Sequence, residues 1–286
     1  FFIGEDGHPM EGGEVRWGSS DVFVDPANPV AGSNWTYDAQ WQIPTQDAGT
    51  LSNPATGVPM AQRIERAEVT VVDTLPVSKT YDYVDLSFAS EIAVPADAWN
   101  GWDAEAGTFS TAGDGVTAKV KSVVYYPADL YETMYWHDGS PFSVGDFAMF
   151  MAMTFLQGTE GTDVYDETQA SNLASFLTSF KGFRIASEDP FVVEYYTDNW
   201  FLDAEYNIYT MWPEYGNGNA PWHVIAVANA AEAAGEIAYS QDKADALEIE
   251  WTNWIAGPTL DIMTAQLDTL AADNTIPYAN LLGMYI

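Results

Sequence analysis

Trp136-His137-Asp138-Gly139-Ser140-Pro141-Phe142-Ser143-Val144-Gly145-Asp146-Phe147 is the stretch on which the reading of this chain turns, because it holds a turn and a helix start in succession. Asp-Gly ahead of proline is turn chemistry, since glycine tolerates positive φ and proline cannot continue a strand ladder. Ser143 precedes Asp146 by three positions. At that spacing a hydroxyl can accept from an amide of the first helical turn while the carboxylate reaches back to the cap. The stretch predicts a strand ending near Tyr135, a turn, and a helix from about Val144.

Working outward, the two sides of this stretch differ in period. Upstream, Ala67 to Val72 and Asp82 to Phe88 alternate, and Thr117 to Tyr126 is a long strand rich in valine and tyrosine. Residues 95–115 show no long periodicity and read as a connection. Residues 1–60 are rich in Gly, Pro, Asn and Asp, with short strand candidates at Glu14 to Trp17 and Tyr37 to Ile43. Downstream, Phe147, Phe150, Met151, Met153 and Phe155 leave hardly any polar face, so this helix should be buried on most sides and stop near Gly158. Leu173, Phe176, Leu177 and Phe180 repeat with helical spacing and predict an amphipathic helix closed by Gly182. A hairpin follows over Phe183 to Tyr196, turning at Glu188-Asp189-Pro190, and then helices at 222–239, 243–256 and 258–273, the last opened by Pro258. The fold class is mixed α/β: a β-sheet lobe with flanking helices concentrated in the C-terminal half. It reads as one lobe over 1–286, divisible into a mainly β part, 1–135, and an α-rich part, 136–286.

Composition narrows the function. The net charge is −33, from 42 acidic against 9 basic residues, which argues against nucleic acid or anionic lipid as partner because both need clustered Lys and Arg. The acids are spread along the chain, as a solvated surface would have them; the alternative is a field that concentrates cationic solutes, with a reach of about 8 Å at physiological salt. There is no cysteine, which removes disulfides and thiolate chemistry and leaves the compartment open. No run of eighteen apolar residues occurs, so no membrane span is expected. The three histidines, His8, His137 and His223, lie far apart in dissimilar settings. No metal centre and no cofactor are expected, nor does any nucleophile or phosphate-loop motif occur.

Two clusters suit a ligand pocket. Asn34, Trp35, Tyr37 and Asp38 bring amide, indole, phenol and carboxylate into one loop, where an aromatic wall could stack while polar tips orient. Pinning of that loop to the sheet by Trp35 and Tyr37 explains it equally well. Trp212 and Tyr215 belong to the densest aromatic tract, between Trp200 and Trp222; such a tract either fills a core edge or borders a cleft. Trp136 and Asp138 read as structural, the carboxylate closing the turn and the indole packing beneath it.

The opening stretch resembles the W-x-D-G-x-P-F-[ST]-x-x-D-[VF] signature of the family 5 extracellular solute-binding proteins, the peptide and nickel receptors of ABC importers. Phe180-Lys181-Gly182-Phe183-Arg184-Ile185 and Asp189-Pro190-Phe191-Val192-Val193-Glu194 are similar to that family's following hairpin, and Asn28 to Trp35 to its first ligand-side loop. The resemblance is strong over residues 120–200 and weak over 15–65; the Gly-Thr-Gly-Pro-aromatic segment leading back into such receptors' second lobe does not occur here. It implies a periplasmic-binding-protein-like fold of the peptide-binding class, with this chain as the N-terminal portion of a two-lobed, monomeric, non-enzymatic receptor. The receptor would be extracellular or periplasmic and anchored through a segment outside these residues. Its partners would be a peptide or other small solute and a membrane permease, and the Asn34 loop would lie close to the ligand. Acidic and aromatic surfaces also describe carbohydrate-binding modules and glycoside hydrolases, which would bind or turn over glycans.

Overall fold

In the computed structural model, which describes residues 16, 18, 25–32, 35–42, 46–278 and 281, the alternation at 67–72 becomes strand β1 (Arg66–Val72), with Ala67, Val69 and Val71 fully buried on one face. Six further strands join it: β2 (Val84–Ala89), β3 (Trp99–Asp103), β4 (Thr108–Thr111), β5 (Val120–Tyr125), β6 (Phe180–Glu188) and β7 (Phe191–Thr197). The sheet order is β2-β1-β5-β7-β6-β3-β4. Only the β1–β2 pair is parallel, so the sheet is mixed. The β6–β7 hairpin lies between β5 and β3, so strands from both sides of residue 135 build one sheet.

One face of the sheet is apolar. Residues in register there, such as Ala67, Val124 and Val193, are fully buried. The opposite face carries charge: Arg66 pairs with Glu68 at 2.7 Å, and Glu194 sits between Lys121 at 2.8 Å and Arg184 at 2.6 Å. Alternation with period two assigns these faces, because one step along a strand turns a side chain over.

Seven α-helices occur among the described residues: α1 (Thr36–Gln42), α2 (Leu130–Thr133), α3 (Val144–Leu156), α4 (Glu167–Leu177), α5 (Trp222–Ala233), α6 (Gln241–Leu247) and α7 (Thr259–Ala272). In α3 only Phe150 and Thr154 escape burial, as its nearly continuous apolar sequence requires. Phe147 meets Phe191 of β7 with ring centroids 4.1 Å apart, and Phe155 meets Phe109 of β4. On its other side α3 contacts α5, which in turn contacts α7. No helix is long and apolar enough to cross a membrane among the described residues.

Several expectations change on contact with the structure. Tyr37 to Gln42 is helix α1, not strand; alanine and glutamine favour the helix, and the alternating aromatics that mimicked a strand carry little weight over so few residues. Ile43 and, apart from Arg16, the strand candidate at 14–17 lie outside the described residues. Residues 95–115 are a hairpin, β3–β4, whose register shift between Trp99 and Gly101 erases the alternation. Helix α4 stops at Leu177, and Phe180 and Gly182 belong to β6. A Cβ on Gly182 would approach Ala98 and Val94 to 3.0 Å, so the glycine serves close packing rather than a helix cap. Helix α5 ends before Gly235, at φ +73°. The helix expected at 243–256 is only α6, after which 250–251 pairs in parallel with 237–238.

At the start of α3, the Ser143 amide donates to Asp146 Oδ2 at 2.8 Å, while the Ser143 hydroxyl is 3.4 Å from the same oxygen. The tighter bond uses the backbone, which alanine retains. Ser143→Ala is therefore expected to lower stability by only about 0.5–1 kcal/mol, read as a shift in the urea midpoint; a loss above 2 kcal/mol would mean that the hydroxyl carries the cap.

Candidate functional site

The turn over Trp136 to Phe142 is held by its own residues. Asp138 Oδ1 accepts from the Ser140 amide at 2.8 Å and the Ser140 hydroxyl at 2.6 Å, while Gly139 supplies the left-handed φ of +85°. Asp138 Oδ2 lies 2.8 Å from His223 Nε2, which ties the turn to the first turn of α5. The Ser140 hydrogen bonds, then His223, hold the Asp138 carboxyl down at about 2.

Asp146 makes a second tie. It is fully buried, and its Oδ1 accepts from the Trp222 amide at 2.8 Å while Oδ2 caps α3. Burial pushes its carboxyl up to about 6, against the opposing pull of the Trp222 and Ser143 amides. The Trp136 indole N–H leans towards this carboxylate without closing a hydrogen bond of normal geometry.

Beside the turn opens a pocket of about 540 Å³, within the range of about 300–1,000 Å³ typical of small-molecule sites. Trp136, Phe142 and Trp212 form one wall. Phe142 stacks on Trp212 at 4.8 Å, and Trp212 on Tyr126 at 5.8 Å, so the wall is backed by core. Trp254 and Val224 line it from the C-terminal side, and Tyr135 and Ile255, 61% and 73% exposed, stand at its mouth.

The remaining wall comes from segments far apart in sequence, joined by side-chain amides. Asn28 donates to Thr252 O at 2.9 Å and Tyr239 O at 3.3 Å and accepts from the Ala31 amide at 2.7 Å. Asn219 accepts from the Asp47 amide at 2.8 Å and donates back to Asp47 O at 2.9 Å. Asp47 pairs with Arg63 at 2.7 Å. Buried Asn28 and half-buried Asn219 thus each meet partners on a distant segment, which offsets the cost of taking a polar group out of water.

Of the residues expected from sequence to contact a ligand, only Trp212 lines this pocket among those described. Tyr215 is buried, its ring 5.5 Å from Phe150 and its hydroxyl without a hydrogen-bond partner, so it packs beside the wall instead of forming it. Trp35 and Tyr37 are 48% and 40% exposed, Asp38 is buried on α1, and none of the three reaches the pocket. Asn34 lies outside the described residues. Trp136 and Asp138 do close the turn, and they also face the pocket. Trp254 was missed; an isolated tryptophan among helical candidates gives no local sign of a cleft.

No protein-family model matches this chain, and no curated protein matches it either. Among the described residues no group of three or more His, Cys, Asp or Glu side chains could hold a metal ion.

Proposed function

We propose that this chain is the ligand-binding lobe of a solute receptor of the family 5 type, which captures peptides or related small solutes outside the cytoplasmic membrane and delivers them to an ABC-importer permease by closure of two lobes. One observation carries the reading: the turn bearing the resemblance, Trp136 to Phe142, forms a wall of the aromatic pocket. Both carboxylates at the pocket are engaged, Asp47 by Arg63 and Asp138 by Ser140 and His223. That favours binding over glycoside hydrolysis, which needs a carboxylic acid and a second carboxylate facing the scissile bond.

Lobe closure would follow from tighter binding of the solute to the closed form. Calorimetric titration of this chain with a pool of tri- to pentapeptides is expected to give saturable binding at millimolar level, since a single wall buries only part of a ligand. Incubation with oligosaccharides is expected to release no product. Glycan turnover, or the absence of saturable peptide binding, would overturn the receptor reading.

A further inference from the structure

Both carboxylates and two of the side-chain amides of the pocket are already used, and this limits what kind of ligand group it can take. Asn28 spends both ends of its amide on Thr252, Tyr239 and Ala31. Asn219 spends its amide on Asp47 and Pro213. Asp47 is held by Arg63, and Asp138 by Ser140 and His223. A sugar ring or a charged terminus needs several directed partners, because polar groups lose their water on entry and each one left unpaired weakens binding. This pocket has few such partners to offer.

What remains exposed to a ligand is aromatic and aliphatic surface. Trp136, Phe142, Trp212 and Trp254 form the depth, and Tyr135 and Ile255 the mouth. Large exposed apolar side chains such as these two favour a ligand that covers them, because covering removes apolar area from water. Gln46, Asn217 and His137 also line the pocket. Two amides and an imidazole suit the N–H and C=O groups of a peptide backbone.

Resting on the receptor reading, we propose that the pocket is a specificity subsite for one bulky apolar or aromatic group, such as the side chain of a phenylalanine, tryptophan or leucine residue, with Gln46 and Asn217 holding the adjoining amide groups. The volume of about 540 Å³ accommodates one such side chain with part of its backbone. The occupant enters by its apolar end, and Tyr135 and Ile255 close over it.

Saturation-transfer NMR on this chain tests the assignment with N-acetyl-phenylalanine amide, N-acetyl-glycine amide and methyl glucoside. The aromatic probe is expected to bind at least tenfold more tightly than either of the others. Tyr135→Ser with Ile255→Ser, both exposed and so compatible with the fold, should weaken it at least fivefold. Leu267→Ser, at an exposed position on α7 away from the pocket, should leave it unchanged. Equal binding of the glycine probe, tighter binding of the glucoside, or indifference to the Tyr135/Ile255 pair would overturn the subsite. If peptides still bind saturably in that case, the receptor reading survives without it; if no peptide binds either, both fall.

Discussion

Phe147→Ala is expected to cost about 3–5 kcal/mol of folding stability, the largest loss from any single truncation considered for this chain. Phe147 is fully buried, with ring centroids 4.1 Å from Phe191, 5.2 Å from Tyr126, 5.4 Å from Phe142 and 5.8 Å from Trp212. These four rings come from separate segments. Removing the fifth leaves a cavity between helix and sheet that rigid aromatics cannot collapse to fill, and the cavity adds to the lost transfer energy. Phe150, one turn along α3, is the control. It is only half-buried and meets Tyr215 edge-on at 5.5 Å, so Phe150→Ala should cost about 1–3 kcal/mol, less than burial on every side of α3 would imply. Urea denaturation of both variants measures the difference; equal losses would mean that the ring cluster around Phe147 is not the packing centre. Because Phe142 and Trp212 also wall the pocket, Phe147→Ala should impair binding of an aromatic probe under conditions where the protein remains folded.

That helix was legible in sequence because its signal is local. Eleven of the thirteen residues of α3 are buried, and a run so apolar admits no solvent face. The strands at 66–72 and 84–89 were legible for the complementary reason, alternation on a sheet with one polar face. Hairpin β3–β4 was not, since a register shift between Trp99 and Gly101 breaks the period there. The pocket was less legible still. Its walls come from residues near 28, 47, 136, 212 and 254, and what gathers them is bonding such as that from Asn28 to the Thr252 carbonyl, 224 positions away. Nothing in the neighbourhood of Asn28 marks that partner. The loop around Trp35 drew attention because aromatic and polar groups alternate within a few residues, yet enclosure requires facing surfaces, and Trp35 and Tyr37 remain largely exposed. Trp136 and Asp138 show why turn-closing and ligand-facing roles need not exclude each other. The hydrogen bonds that fix the turn consume the carboxylate and leave the indole face to the cavity.

Asp146 provides the second large effect and a pH dependence with a definite sign. Asp146→Ala strips acceptors from the Trp222 and Ser143 amides, two part-buried donors at the starts of different helices, and is expected to cost about 2–4 kcal/mol at pH 7.5. The native carboxyl titrates at about 6 because burial disfavours its charge, against an ordinary value of about 3.9 in an unfolded chain. A folded-state value above the unfolded one means that the folded protein holds this proton more tightly. The stabilisation is complete below about pH 4 and is lost as pH rises through 6. Between pH 5 and pH 7.5 Asp146 should remove about 1.4 kcal/mol of stability from the native protein. Asp138, held near 2 by Ser140, works in the opposite sense, but its contribution is lost only as pH falls below about 4. Glu194, whose pairing with Lys121 and Tyr196 outweighs its burial and lowers it, likewise acts on the acid side of this window. Glu232, raised by burial beside Lys243, reinforces Asp146. Comparing urea midpoints of the native protein and Asp146→Asn at both pH values isolates the group. The asparagine keeps one acceptor oxygen and cannot titrate, so its stability should fall by about 1.4 kcal/mol less across the interval. Parallel pH curves would show that Asp146 is ionised at pH 5 and solvated, and that the junction between the Trp136–Phe142 turn and α5 is open to water.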